Sequence, residues 1–176
     1  MPTPLKQLCL FSLALGVLAL PTLAELAPLA SGPGIVIEKV GIYCKVDAEG
    51  RVDAPETELG YIQTMIAVPE FAFEQREVPA RLGISFGILV TSDRDIPQAR
   101  MEVTRPGLSK PDIWYSDFSA GGSEVRGFSF DFENELAPGV WLFAAYEGDQ
   151  QLYSVEFEIV PGSELPGISS DCNLMS

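Results

Sequence analysis

Residues 82–90, LGISFGILV, decide the fold class of this chain. Large apolar side chains occupy every second position of the stretch, at Leu82, Ile84, Phe86, Ile88 and Val90. Alternation of this kind is the period of a β-strand that buries one side. Gly83 and Gly87 fall on the opposite side, where the missing side chains would let another strand or sheet approach closely. We therefore expect one face of this strand to lie in the core and the other to be less buried.

Segments of similar character flank this strand on both sides. They are residues 35–43, 60–68, 99–103, 128–132, 140–146 and 153–159. Turn signals separate several of them, at Pro106-Gly107, Pro138-Gly139 and Gly148-Asp149, whereas the polar stretch 45–58 predicts a loop. Seven or eight short strands without long helical periodicity predict a sandwich of two antiparallel sheets.

The first residues have the character of a signal peptide. Lys6 precedes an apolar run over residues 8–20, which is too short to span a bilayer as a helix. Pro21 ends that run, and the small residues Thr22 and Ala24 occupy the positions that a signal peptidase recognises. We expect cleavage after Ala24, which would leave a periplasmic or secreted protein without a stable membrane span.

These features divide the chain into four predicted segments. They are a signal peptide at 1–24, a flexible leader at 25–34, the β-sandwich at 35–160 and an irregular C-terminal tail at 161–176. The formal net charge of −14 argues against nucleic acid and anionic lipid surfaces as partners, because their recognition begins with Lys and Arg.

Two cysteines follow the predicted cleavage site, Cys44 and Cys172. A pair in an oxidising compartment usually forms a disulfide, and two free buried thiols are the alternative. In an aligned sandwich the first strand often pairs in parallel with the last one. That pairing would bring the region of Cys44 near the tail that carries Cys172.

Several kinds of catalytic chemistry lack their residues. The chain has no histidine, which excludes Ser-His-Asp and Cys-His arrangements and His-ligated zinc. It also has no CxxC motif, and Gly121-Gly122 lacks the lysine and the strand-to-helix context of a phosphate loop. We therefore predict a protein that is not an enzyme and needs no cofactor.

Carboxylates are the remaining polar candidates. Asp47, Glu49 and Asp53 share a polar stretch and form a weak calcium candidate, although a solvated acidic loop is the simpler interpretation. Glu133 and Glu135 are the candidate pair for a glycosidase, whose chemistry needs two carboxylates at a defined separation.

Aromatic residues give the candidate binding site. Trp114, Tyr115 and Phe118 lie in a stretch rich in Pro, Gly, Ser and Asp, which predicts a loop over residues 107–122. Exposed aromatic side chains there could stack on sugars or contact a partner protein. The alternative is that they cap one end of the sandwich core.

The chain resembles a bacterial family, domain of unknown function 3859. The resemblance rests on residues 41–43 (GIY), 78–87 (VPARLGISFG), 105–107 (RPG), 132–141 (FENELAPGVW), 146–148 (YEG) and 157–160 (FEIV). It implies a small exported, immunoglobulin-like β-sandwich and no particular activity. The family often has His before the Pro-Gly pair where this chain has Arg105, so any role of that histidine is absent here.

Together these observations predict a non-catalytic binding or accessory module of the cell envelope. Its partner would be a protein or another envelope component. The rival hypothesis is a hydrolytic or carbohydrate-active enzyme that uses acidic residues and the Trp114 stretch, and a third is a purely structural domain.

Overall fold

The computed structural model describes residues 25–44, 49–65 and 67–174. The predicted signal peptide and Asp47 lie outside these ranges. Within them, no helix is long and apolar enough to cross a membrane.

Eleven strands, one α-helix and a short 3-10 helix (Glu133–Glu135) build the described part of the chain. The strands and the α-helix are β1 (Ala30–Ser31), β2 (Ile35–Ile42), β3 (Gly50–Asp53), β4 (Tyr61–Thr64), β5 (Glu77–Ala80), β6 (Ser85–Ser92), β7 (Ile96–Thr104), β8 (Asp112–Phe118), β9 (Ser123–Ser129), β10 (Gly139–Glu147), β11 (Gln150–Pro161) and α1 (Pro166–Leu174). The larger sheet has the order β1-β11-β10-β7-β8, with β5 also paired to β11. The second sheet is β2-β6-β9, and β3 and β4 form a separate hairpin. The predicted immunoglobulin-like antiparallel sandwich is confirmed, with more strands than seven or eight.

Aromatic side chains join the two sheets across the core. Phe86 of β6 contacts Trp141 and Phe143 of β10 and Phe157 of β11, with ring centroids 5.8, 5.6 and 5.1 Å apart. Phe86, Trp141 and Phe157 are fully buried. Offset and edge-on aromatic pairs at these separations stabilise a fold beyond the area that they bury.

The predicted core face of residues 82–90 is confirmed except at its first residue. Ile84, Phe86, Ile88 and Val90 are buried, but Leu82 is 42% exposed. Gly83 has a φ of 84°, so the chain turns there and β6 starts only at Ser85. Leu82 therefore precedes the strand instead of sharing its face.

The opposite face of β6 is more buried than its sequence suggests. Ser85 is fully buried, and its hydroxyl lies 2.7 Å from that of Ser129 on β9. The Tyr43 N–H donates to the Ser85 carbonyl and so continues the pairing of β2 with β6, and the Tyr43 side chain covers this face. The Tyr43 hydroxyl occupies the space beside Gly127 that a Cβ would fill. The expectation of a strand buried on one side is therefore wrong at Ser85, whereas Leu89 and Thr91 on the same face are half-buried.

Three stretches have more regular structure than predicted. The predicted loop 45–58 contains β3, because Val52 pairs with Ile62 of β4 and the two strands form a hairpin. The predicted leader is held along β11, where Ala30 pairs with Ser154. The tail contains α1, which starts at Pro166, a residue well suited to the first turn of a helix.

The predicted disulfide between Cys44 and Cys172 is present, with the two Cα atoms 5.2 Å apart. The strand pairing expected to create it is wrong, because the parallel partner of β11 is β5 and not β2. After β2 the chain passes Phe73, which bridges to Ile42, and then enters β5. The helix α1 contacts β5, and this brings Cys172 to Cys44.

Candidate functional site

Both sheets of the sandwich end in an edge strand on the flank where β8 and β9 lie. β8 is the last strand of the larger sheet and β9 the last strand of the smaller one. A short connection at residues 119–122 joins them, so both edges lie on the same side of the molecule. The hairpin β3–β4 and the residues after it cover this side. The flank is therefore enclosed by side chains without being closed by strand pairing.

A cavity of about 390 Å³ lies between this hairpin and strands β7–β9. Its size is within the range of pockets that hold small ligands. Leu59 and Val68 are 37% and 50% exposed, and both line the cavity together with Met65. The cavity thus combines an apolar, partly exposed border with the polar groups described next.

Arg105 forms the buried ionic centre beside the cavity. Its guanidinium contacts the carboxylate of Glu58, and its Nε lies 3.4 Å from Asp112 Oδ2. The Glu58 N–H donates to Asp112 Oδ1 at 2.6 Å. The same guanidinium lies over the rings of Phe128 and Trp141, 5.4 and 5.3 Å from their centroids. These contacts fix the turn of the β3–β4 hairpin to β7 and β8.

Arg126 of β9 forms a second ionic group in the cavity wall. Its guanidinium contacts the Glu124 carboxylate and donates to Ser116 Oγ at 3.2 Å and to the Asp117 carbonyl at 3.1 Å. It also lies over the Phe118 ring, 5.1 Å from the centroid. The Nε of Arg126 is buried and has no hydrogen-bond partner within the described ranges.

Glu135 is a buried carboxylate at the same site, but it serves the backbone. It accepts the N–H groups of Asp131 and Phe132 at 2.7 and 2.8 Å. Burial raises the pKa of Glu135, and these two hydrogen bonds oppose that rise. Glu133, its partner in the hypothesis of a glycosidase, is exposed. Glu135 therefore has a local structural role that explains its burial.

The three predicted aromatic site residues do not form one surface. They lie on strand β8 and not on a loop, because Met101 and Ala99 of β7 pair with Trp114 and Ser116. Trp114 is half-buried and lines the cavity, whereas Phe118 is 2% exposed and belongs to the core. Tyr115 is 51% exposed and lies on the other side of the strand, since side chains alternate.

The weak calcium candidate is only partly described. Glu49 and Asp53 are exposed beside and within β3, and Asp47 lies outside the described residues. In the ranges that are described, no group of three or more acidic or cysteine side chains is arranged to hold a metal ion.

Reasoning from sequence missed Arg105 and Arg126 as members of the site. The ion pair of Arg105 with Glu58 joins residues 47 positions apart, which no local pattern reveals. Arg126 was easier to find, because a charged residue inside the strand-like stretch EVRGFSF is unusual and can indicate a site.

The fold and the cavity define the class of this protein as an immunoglobulin-like β-sandwich domain with a lateral pocket. The chain belongs to the family described as Domain of unknown function (DUF3859), whose model matches residues 33–159. No curated protein matches the chain.

Solved structures are similar to it at low scores, and three of them are as follows. An immunoglobulin-like protein from Pseudomonas aeruginosa is 19% identical with a TM-score of 0.43, over 76% of this chain and 98% of that one. A β-glucosidase from Erythrobacter marinus is 16% identical with a TM-score of 0.30, over 49% of this chain and 14% of that one. A β-glucosidase from Listeria innocua is 16% identical with a TM-score of 0.26, over 68% of this chain and 22% of that one. These TM-scores are too low to bear on activity.

Proposed function

We propose that this protein is an exported, non-catalytic domain that binds a component of the cell envelope in the flank cavity. The observation that carries the proposal is the cavity itself. It lies beside the edge strands β8 and β9 of the two sheets, and both apolar and charged side chains line it. A pocket that combines apolar surface with a few convergent polar groups is the usual form of a small-ligand site.

The pairing of the acidic groups supports a binding role over a catalytic one. Glu58 and Asp112 contact Arg105, and Glu124 contacts Arg126. Glu135 accepts two backbone N–H groups. A general acid or base must exchange a proton with the substrate, and carboxylates held by guanidinium or backbone donors are poorly suited to that task.

The disulfide supports export. Bonds such as Cys44–Cys172 persist in oxidising compartments and are rare in the reducing cytosol. Expression of the full-length chain in its native type of cell should yield an exported form that begins at Glu25. Intact-mass measurement tests this, and an exported form that retains Met1 would contradict it.

Binding can be tested with the exported protein labelled with ¹⁵N. Peptidoglycan digests, glycan fractions and lipid fractions of the envelope are added in turn, and amide shifts are followed by NMR. We expect at least one fraction to shift the amides of cavity residues such as Ser116, Arg126 and Ser129. The exposed Val36 on β2 and the buried Ile159 on β11 serve as reference positions outside the cavity lining.

The same samples separate the rival hypotheses. Mass spectrometry of the bound fraction before and after incubation should find its components unchanged. Conversion of a component would instead support the hydrolytic or carbohydrate-active hypothesis. Absence of any cavity shift with all fractions would leave a structural domain and would reject the binding function.

A further inference from the structure

The charges around the cavity constrain the chemistry of its ligand. Among the described residues, two guanidinium groups and no lysine line it, against five carboxylates, which belong to Glu58, Asp112, Glu124, Asp131 and Glu135. The whole chain also has a formal net charge of −14. An anionic ligand would therefore meet an unfavourable potential at this site.

The described carboxylates that line the cavity already have partners, so a cationic ligand would find no free counter-ion among them. Arg105 and Arg126 already hold three of the carboxylates, Glu135 accepts two backbone N–H groups, and Asp131 accepts from Gln63 Nε2 at 2.8 Å. A cation would have to compete with these contacts. Paired carboxylates nevertheless keep lone pairs, and a guanidinium with five N–H groups keeps donors. The wall thus offers donors and acceptors to a ligand without charge.

Trp114 supplies an aromatic surface inside the cavity. It is half-buried, and in the described part of the chain its indole N–H has no acceptor. Trp141, by contrast, donates its indole N–H to the Ala137 carbonyl at 2.9 Å. A buried Trp usually finds a hydrogen-bond partner for that group, whereas the half-buried Trp114 leaves it open to solvent or to a ligand. Trp114 is therefore poised to pack its ring on a ligand and to donate one hydrogen bond to it.

We propose that the cavity binds an uncharged, hydroxyl-bearing ring compound, namely a neutral sugar unit of a glycan, packed against Trp114. Sugar hydroxyls both donate and accept, which matches the mixed wall. The C–H faces of a sugar ring are apolar, which matches Trp114 and the border formed by Leu59, Met65 and Val68. This inference rests on the proposed binding function and names its ligand class.

Calorimetry and tryptophan fluorescence on the exported protein test the ligand class. The neutral probes are cellobiose, maltose and N,N′-diacetylchitobiose. Chitobiose without its acetyl groups is the matched cationic probe, and digalacturonic acid is the anionic one. Because the only other tryptophan, Trp141, is fully buried, a saturable change in emission reports on Trp114. We expect at least one neutral probe to bind and both charged probes to bind more weakly than it does.

Variants connect the binding to the cavity. Trp114→Ala should raise the Kd of the neutral probe about 30-fold or more, because the loss of an aromatic anchor has an effect of this size. Trp114→Leu keeps apolar volume and covers the case in which the alanine variant does not fold. Tyr115→Ala, on the exposed side of the same strand, should bind as the unmodified protein does.

Three results would overturn the inference. They are preferential binding of a charged probe, equal losses from Trp114→Leu and Tyr115→Ala, and failure of every neutral probe. If no disaccharide binds but an envelope fraction still shifts the cavity amides, the ligand class falls and the binding function stands. If no disaccharide binds and no envelope fraction shifts the cavity amides, both the ligand class and the binding function are rejected.

Discussion

The Nε of Arg105 lies 3.4 Å from Oδ2 of Asp112, and this buried contact joins the end of β7 to the first residue of β8. Glu58 completes the group from the turn of the β3–β4 hairpin. Arg105 and Asp112 are removed from water, which is costly, whereas Glu58 stays partly exposed; the two buried charges are therefore stable only while they stay together. The position of the hairpin over the cavity therefore depends on Arg105.

We expect Arg105→Met to destabilise the fold by about 3–5 kcal/mol, because Glu58 and Asp112 would lose their buried cation. Urea unfolding measures the change. Adding Glu58→Gln and Asp112→Asn to the variant should recover part of the loss, since no uncompensated charge then remains. Arg94→Met is the control, because its pair with Glu147 is exposed and should matter little. Equal effects of the two arginine variants would contradict this account.

The two faces of β6 should respond alike to charge. Phe86→Asp places a carboxylate among aromatic rings and should cost several kcal/mol or prevent folding. The sequence alone predicts a milder effect for Ser85→Asp, but the structure buries Ser85 completely and pairs it with Ser129. Thermal unfolding should therefore show comparable damage. Val36→Asp, at a position that is 55% exposed on β2, is the control and should be tolerated. If Ser85→Asp lowered the melting temperature only slightly, β6 would be buried on one side only.

The strands that could be predicted from the sequence are those with strong local alternation or a continuous apolar run. β6 and β11 follow the period of two, β10 is apolar on both faces, and the turn at Gly148-Asp149 joins β10 to β11 as expected. β3 and β4 could not be predicted as a hairpin, because their residues are mostly exposed or half-buried and alternate weakly. The parallel pairing of β5 with β11 depends on the path of the chain after β2, which local patterns do not encode.

The candidate site was only partly accessible to sequence reasoning. Trp114 could be found as an aromatic residue outside the main apolar strands, although its stretch is a strand and not a loop. Tyr115 and Phe118 could not be separated from it without the register of β8. Arg105 drew notice only where the chain differs from its family, and its partners Glu58 and Asp112 are brought to it by tertiary folding.

The disulfide should contribute substantially to stability. Replacing Cys44 and Cys172 together by Ser removes a link between residues 128 positions apart, which constrains the unfolded chain. A loss of about 2–5 kcal/mol is expected for such a bond. Denaturant unfolding measures the loss, and thiol titration of the denatured, unreduced mature protein should find no free thiol. Two thiols per mature chain would show that the bond does not form.

Stability should depend on pH through Glu135. Burial raises its pKa in the folded state above the value in the unfolded chain, so the folded state binds more protons between those two values. The contribution of Glu135 to stability is therefore largest below the unfolded pKa and falls as the pH rises through the folded one. Glu135→Gln keeps an acceptor for the Asp131 and Phe132 N–H groups and should lose this dependence.

Thermal unfolding of both proteins across a pH series measures the effect. The stability of Glu135→Gln relative to the unmodified protein should rise with pH over this window. A relative stability that falls with rising pH would mean that the ionised carboxylate is the favoured form and would contradict this assignment.

The link between Cys44 and Cys172 also has a consequence for the order of events during synthesis. Cys44 is made 128 positions before its partner, so the bond cannot close until all eleven strands have been produced. Until then Cys44 is a thiol without the partner that it has in the finished fold. A chain that stops short of Cys172 would keep that thiol, and the redox state of Cys44 therefore distinguishes completed molecules from interrupted ones.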